Sequence, residues 1–359
     1  MEIALYEEVN LHIDRNKSEI HVSLPWLKGT IGVPDYADID NDSNKSIVSI
    51  LNDHQIFKHK SRWIFCYINP RSSQVEFPKK THNQSLYDEL DSPQSLLSYF
   101  KDHKLDSPYW KERFKHWSWD ADFLLEKSQI DKDHFDPLTA YTVIRRFRNI
   151  SKDRQETQHL SNVLEDHLNN DEPAFFGMTH TLLSQSYHVT SHCHESLQPA
   201  IEGFKEAELE VKEFIDEEYG HESFIKESLD EVPIEYREKS VVFPETKIAM
   251  KLLRRAAKEA PLAFCCLISH FEEPANYRAD PMAELILKSS NPEIARGIAT
   301  HFKINKQGNH HSVGIDFAKN LSTSTKKDLI IACRFAELLS MLFNGIAYRT
   351  LELWETKNA

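Results

Sequence analysis

The chain of 359 residues carries a formal net charge of −13, and 40% of its residues are hydrophobic and 11% aromatic. This composition argues against a disordered chain, because it contains enough apolar mass for a packed core. The acidic balance argues against non-specific nucleic-acid binding, which needs clustered Lys and Arg to displace counterions. Because a single helical domain would occupy roughly 200 residues, we expect a second, smaller unit as well.

The first residues, MEIALYEEVN, are acidic from the start and lack a basic segment followed by an apolar run. We therefore expect no signal peptide. We also identify no stretch of about 18 apolar residues of the kind that spans a membrane. The cysteines are few, odd in number and without CxxC spacing, which favours reduced thiols in a cytoplasmic protein. They are Cys66, Cys193, Cys265, Cys266 and Cys333.

Two short segments in the N-terminal part have the patterns of β-strands. Hydrophobic residues alternate along Glu19–Leu24, and residues 62–69 (RWIFCYIN) form a short apolar and aromatic run. The sequence therefore predicts a smaller mixed α/β unit of unknown role over residues 1–135. A helical domain is expected to follow over residues 136–359.

From residue 136 onward, Pro and Gly become sparse and apolar residues recur at spacings of three and four. This pattern is typical of amphipathic helices that bury one face against their neighbours. The predicted fold class is mainly α, with a bundle of about seven helices. They are expected near residues 138–150, 155–169, 175–195, 197–228, 245–271, 277–305 and 325–355.

The sharpest local motif is EEYGH at residues 217–221. Glu218 and His221 are three residues apart, and positions i and i+3 of a helix lie on one face. A carboxylate and an imidazole placed in this way can bind one ion, and helical bundles hold di-iron centres with such Glu-x-x-His pairs. Taken alone, the pattern also occurs on many solvated helix faces.

Two later segments carry further residue types that bind metals. Glu272 and Glu273 follow the apolar segment 260–268 (APLAFCCLI), either as solvated helix ends or as ligands at the edge of the core. His301 and Asn305 are four residues apart, which again places them on one helix face. They are followed by a pair of adjacent histidines, His310 and His311.

Together these motifs resemble the haem-oxygenase-like non-haem di-iron oxidase and oxygenase superfamily, over roughly residues 150–355. That family takes a Glu and a His from one helix, and a Glu from the next helix some fifty residues later. A third helix, some thirty residues further on, supplies His-x-x-x-Asp-x-x-His. Here Glu218 and His221 match the first helix, Glu272 or Glu273 matches the second, and His301 matches the start of the third.

The chain departs from this family pattern at two positions. Asn305 stands where the family has Asp, and an amide is a weaker ligand than a carboxylate. Gly308 stands where the last His is expected. In an unbroken helix His311 would lie about 15 Å along the axis from His301. We therefore expect the Gly308-Asn309 dipeptide to break the helix and to bring His310 or His311 back to the site.

The resemblance implies a haem-oxygenase-like fold that holds two Fe(II) ions and uses O₂ as co-substrate to oxidise a small molecule. The family's substrates include amino acids, amines and fatty acids, and nothing in the sequence selects one of them. A nucleic-acid or membrane partner is not expected, and a homodimer is left open. The metal ligands implied are Glu218, His221, Glu272, Glu273, His301, Asn305, His310 and His311.

Three alternatives remain open at the level of sequence. The departures at Asn305 and Gly308 would also fit a metal-poor helical scaffold or binding protein derived from such an enzyme. A haem-degrading oxygenase would need a proximal histidine early in the helical domain, such as His159 or His167. A zinc site is a further candidate, on a helix that carries His188, His192, His194 and Glu195.

Overall fold

The computed structural model describes four strands within residues 2–32, residues 105–115, 134–135, 137 and 141, and residues 155–355. The last range has gaps at 205–206, 238–241, 273–276 and 322–323. The strand predicted at 62–69 and most of the helix predicted at 138–150 lie outside the described residues. By backbone contacts the chain divides into residues 1–78 with 122–133, and residues 79–121 with 134–359. This division does not decide the boundary predicted at residue 135, which stays a prediction.

The first unit contains a four-stranded antiparallel sheet in which each strand pairs with its neighbour in sequence. The strand predicted at Glu19–Leu24 is confirmed with the same bounds. Its alternating Ile and Val residues pair across the sheet with apolar residues, as in the registers Leu11↔Val22 and Ile20↔Ile31. The strands are β1 (Glu2–Tyr6), β2 (Val9–Asp14), β3 (Glu19–Leu24) and β4 (Leu27–Gly32).

The second unit is mainly α, as the sequence predicts. Two strands of two residues, β5 (His134–Phe135) and β6 (Ser324–Thr325), also pair within it. Its helices are α1 (Pro108–Lys115), α2 (Gln155–Asn170), α3 (Glu172–Leu197), α4 (Ala200–Gly203), α5 (Glu208–Glu217), α6 (Glu222–Glu231), α7 (Pro244–Glu259), α8 (Pro261–Phe271), α9 (Pro281–Ile286), α10 (Ala295–Gln307), α11 (Val313–Lys319) and α12 (Lys326–Glu355).

Three of the predicted helices are wrong in length, because the chain breaks each of them. Residues 197–228 form three helices, and the last break is at Gly220, whose φ of 89° lies in the left-handed region that Gly tolerates. Residues 245–271 break at Ala260, since the ring of Pro261 disfavours helical backbone in the residue before it. Residues 277–305 are interrupted between α9 and α10. The break at Gly220 matters because two of the ligand candidates, Glu218 and His221, lie on either side of it.

Helix α12 lies in the core of the bundle and packs against α2, α7 and α8. Of the described helices it is also long and apolar enough to cross a membrane by length and composition, a feature that the sequence reading missed. In the bundle 83% of its most apolar 18-residue window is buried. Neighbouring helices therefore cover its apolar surface, and each fully buried large side chain, such as Phe335, contributes about 1.5–3 kcal/mol of transfer free energy.

Two glycines let helices approach closely near the candidate site. A Cβ on Gly297 of α10 would lie 1.9 Å from the carbonyl oxygen of Phe224 in α6. A Cβ on Gly314 of α11 would lie 1.8 Å from Oγ of Ser269 in α8. Both distances are far below van der Waals contact, so the packing of α10 on α6 and of α11 on α8 requires these glycines.

Candidate metal centre

Acidic and histidine side chains from three separate stretches of chain converge at one buried place. The first group comprises Glu218, His221 and His301, and the second comprises Glu218, Glu272 and His310. Within each group the potential ligand atoms all lie within 4.8 Å of one another. Glu218 belongs to both groups, and every member is buried except His301, which is partly buried.

Glu218 and His221 meet across a turn and do not lie on one helix as predicted. Glu218 is the first residue after α5, and His221 immediately precedes α6 after the left-handed residue Gly220. The turn nevertheless places Nδ1 of His221 3.4 Å from Oε2 of Glu218. That the pair could serve one ion stays a prediction, and the geometry comes from the turn and not from the i, i+3 spacing of a helix.

His301 reaches the first group from α10. Its ring is 5.0 Å from the ring of His221, centroid to centroid, with the planes at 81°. The two imidazoles come this close because Gly297, one turn before His301, lets α10 pack against the backbone of α6. His301 is therefore placed by helix packing rather than by local sequence.

The second group forms where the ends of three segments meet. Glu272 is the first residue after α8 and is buried. Nδ1 of His310 lies 2.9 Å from Oε1 of Glu218 and 3.4 Å from Oε2 of Glu272. The two oxygens of Glu218 thus face different histidines, Oε2 toward His221 and Oε1 toward His310. Glu273, the other candidate for the second helix, lies outside the described residues.

The predicted break after α10 is present, and it returns His310 to the site. The residue that adopts the left-handed backbone is Asn309, with φ of 56°, whereas Gly308 has an ordinary φ of −72°. Glycine is needed at 308 for space, because a Cβ there would lie 2.7 Å from Cδ2 of the His310 ring. His311, which the sequence left as an alternative to His310, is half-buried and belongs to neither group.

Asn305 lies in the site, where its side chain contacts the ligand candidate Glu272. Its Nδ2 donates a hydrogen bond of 3.0 Å to Oε2 of Glu272, and the residue is buried. An Asp at this position could not donate that hydrogen bond. Asn305 therefore supplies a hydrogen-bond donor that fixes the orientation of Glu272.

Carboxylates and imidazoles lie next to each other in the site and shift one another's pKa values. Burial would raise the pKa of Glu218, but the adjacent His221 and His310 outweigh it and lower this pKa. Burial and the charge of Glu218 raise the pKa of Glu272. Burial disfavours the charged form of His310, yet Glu218 and Glu272 raise its pKa to about 10. Burial lowers the pKa of His301 to about 4. A neutral His301 keeps a lone pair available for an ion.

The buried polar atoms of the cluster fit a bound cation. Among the residues that the structure describes, four atoms of the two groups lack a hydrogen-bond partner of good geometry: Oε1 of Glu218 and Nδ1 of His221, Nε2 of His301 and Nδ1 of His310. Unsatisfied buried polar atoms are costly, and here they converge. An ion about 2.1 Å from each ligand allows ligand atoms up to about 4.2 Å apart. The ligand atoms of each group would therefore move a few tenths of an ångström closer together when an ion binds.

Two residues at the site were missed by the sequence analysis. Oε2 of Glu217 lies 3.2 Å from Nε2 of His310. The thiol of Cys193 in α3 is buried beside Glu218, and burial, followed by the charges of Glu218 and Glu272, raises its pKa. Glu217 was visible in the EEYGH motif but was passed over in favour of Glu218. Cys193 had no signal, because its neighbours come from distant parts of the chain.

The other histidine candidates do not gather into a site. The rings of His188 and His192 are 4.0 Å apart, but His194 packs against Tyr219 and Glu195 pairs with Arg254. No group of three metal-ligating side chains among the described residues includes any of the four zinc candidates. His159 is exposed and His167 half-exposed on α2, so neither has the burial of a proximal haem ligand.

Comparison of the chain with known protein families, with curated proteins and with solved structures found no match. The resemblance to the di-iron family therefore stays a prediction from the sequence motifs.

Proposed function

We propose that this protein is a non-haem di-iron oxidase or oxygenase with a haem-oxygenase-like helical bundle, which activates O₂ to oxidise a small metabolite. The observation that carries the proposal is the pair of three-residue groups that share Glu218. Each group alone resembles an ordinary single-ion site. Helical bundles hold two irons with Glu and His side chains that project inward from facing helices, and a carboxylate that faces both groups could serve both ions.

The donor set supports iron over zinc in a structural role. The two groups together offer two carboxylates and three imidazoles, with no thiolate in either group. Hard carboxylate oxygens beside neutral imidazoles suit Fe(II), whereas structural zinc sites are closed by four ligands and often include Cys. Three protein ligands per ion leave coordination positions free. Iron in such a site supplies the reduction of O₂ and the oxidation of the substrate.

The protein's own residues hold and isolate the centre. The two oxygens of Glu218 point to different histidines, so one carboxylate can serve both ions. The amide of Asn305 holds the carboxylate of Glu272 by a hydrogen bond, which fixes a ligand before an ion arrives. Burial of Glu218, His221 and His310 excludes bulk water from the place where the ions would be held.

Iron content and oxygen consumption test the proposal. The protein is loaded anaerobically with Fe(II), separated from free iron and analysed for metal, and O₂ uptake is then followed with an electrode. We expect about two irons per chain and uptake of O₂ that is lost in Glu218→Ala. An exposed carboxylate, Glu213, gives the matched control, because Glu213→Ala should keep both properties. Wild-type protein without iron above background would refute the enzyme and leave a helical scaffold.

A further inference from the structure

We infer that Glu217 is a positioning residue: its carboxylate holds the imidazole of His310 so that Nδ1, and not Nε2, binds a metal ion. The ion held by Glu218, His221 and His301 is called the first ion, and the ion held by Glu218, Glu272 and His310 is called the second ion. This inference rests on the proposed metal centre and adds to it the residue that orients one ligand. Glu217 is outside both groups of metal-ligating side chains.

The two nitrogens of His310 face carboxylates on opposite sides. Nδ1 points to the buried pair Glu218 and Glu272, at 2.9 Å and 3.4 Å. Nε2 lies 3.2 Å from Oε2 of Glu217, whose side chain is 57% exposed. The ion therefore belongs on the Nδ1 side, among the buried ligands. When Nδ1 gives its lone pair to an ion, the ring proton is on Nε2 and donates to Glu217.

Independent packing features hold the ring in the same orientation. The ring of Phe214, on α5 one turn before Glu217, meets the ring of His310 edge to face, with centroids 5.2 Å apart. On another side the absent side chain of Gly308 leaves the space that the imidazole fills, since a Cβ would lie 2.8 Å from Nε2. Helix α5 thus supplies both an apolar wall and a hydrogen-bond acceptor, and Gly308 makes room between them.

The expected effect of losing Glu217 is confined to one ion. A carboxylate that accepts the second ring proton of a ligating histidine fixes the tautomer and makes the nitrogen more basic. Loss of such partners typically weakens metal binding by about 10- to 100-fold. Because His310 belongs only to the second group, the first ion should bind Glu217→Leu as tightly as it binds the wild type.

Zinc titrations of the full chain measure this effect. Zn(II) serves as a diamagnetic probe, and a chelating dye in competition reports the affinity of each ion. In Glu217→Leu the second ion should bind about 10- to 100-fold more weakly. Glu217→Gln should recover most of the loss, since its amide oxygen accepts the same hydrogen bond. Glu213→Leu, a matched change one turn earlier on the exposed face of α5, should bind both ions normally.

The ring tautomer provides a test that needs no substitution at Glu217. Long-range ¹H–¹⁵N correlation of imidazoles in the zinc-loaded wild type should show His310 bound through Nδ1 and protonated at Nε2. The signal is assigned by its loss in His310→Gln. The inference would be overturned if His310 bound the ion through Nε2, or if Glu217→Leu bound the second ion with the affinity of the wild type. In either case, two ions bound to the wild type would still support the proposed centre. Failure of the wild type to bind two ions would instead remove the centre itself.

Discussion

Replacing Glu218 with Gln should abolish binding of both ions, whereas replacing His301 or Glu272 with Gln should abolish binding of one. The reason is geometric: Glu218 supplies one of three ligands to each group, while His301 belongs only to the first and Glu272 only to the second. Gln keeps the shape and volume of Glu218 but loses its negative charge. Each group of the variant would then hold two strong ligands, too few for a stable site.

The size of the effect follows from linkage between binding and folding. At a free metal concentration 100 times the dissociation constant, each ion stabilises the folded state by about 2.7 kcal/mol. The second unit contains residues 79–121 and 134–359. For a domain of that size, about 1 kcal/mol changes Tm by roughly 2–4 °C. Two ions should therefore raise the Tm of the wild type by about 10–20 °C, and one ion by about half of that.

Thermal unfolding with and without Fe(II) under anaerobic conditions, together with metal analysis, checks the prediction. The metal-free Glu218→Gln variant should itself be less stable by about 3 kcal/mol, because Nδ1 of His310 loses its closest buried partner. Each variant is compared with its own metal-free form, so this loss does not enter the metal-induced change. A variant at Glu218 that still binds one ion would show that the groups do not share this carboxylate, and variants at His301 and Glu272 that each bind none would show that the two groups are not separate sites.

Three further substitutions have expected outcomes. Gly297→Ala should lower the free energy of unfolding by about 1–3 kcal/mol in urea titrations, since its Cβ would meet the carbonyl of Phe224, and should weaken the first ion. Glu245→Leu should cost about 3 kcal/mol in the same assay, because this fully buried carboxylate binds the guanidinium of Arg349, but should leave two ions bound. Asn305→Asp should destabilise the metal-free protein by about 2 kcal/mol, because it removes the hydrogen bond to Glu272 and places two carboxylates side by side. Binding of Fe(II) should restore the stability of this variant.

Controls separate these effects from general damage. Gly203→Ala is a matched control for Gly297→Ala, because its new Cβ would meet its nearest neighbour at an ordinary 3.4 Å. Loss of an ion in Glu245→Leu would contradict the prediction, which depends on Glu245 belonging to neither group. If metal-free Asn305→Asp were as stable as the metal-free wild type, the amide would have no part in orienting the neighbouring carboxylate.

The sequence by itself determined the helical class and most of the ligand candidates. Apolar spacing of three and four residues is a local property of a helix, and so the helices at 155–169, 175–195 and 325–355 could be predicted within a few residues. Glu218, His221, Glu272, His301 and His310 could be nominated because the order and spacing of their motifs resemble the ligand motifs of the di-iron family. The break at Gly308-Asn309 could be predicted because these two residue types tolerate irregular backbone.

Only the tertiary structure decided how those residues combine. Glu218 serves two groups because α5 ends where α8, α10 and the turn before α11 meet, and this meeting depends on contacts between distant segments. The roles of Gly297 and Gly308 could not be predicted for the same reason: each leaves space for a group that packing brings against it. The hydrogen bonds of Asn305 and Glu217 likewise depend on partners that lie 33 and 93 residues away in sequence. Periodicity reports which face of a helix is buried, whereas the partner of each polar group is set by the arrangement of the whole bundle.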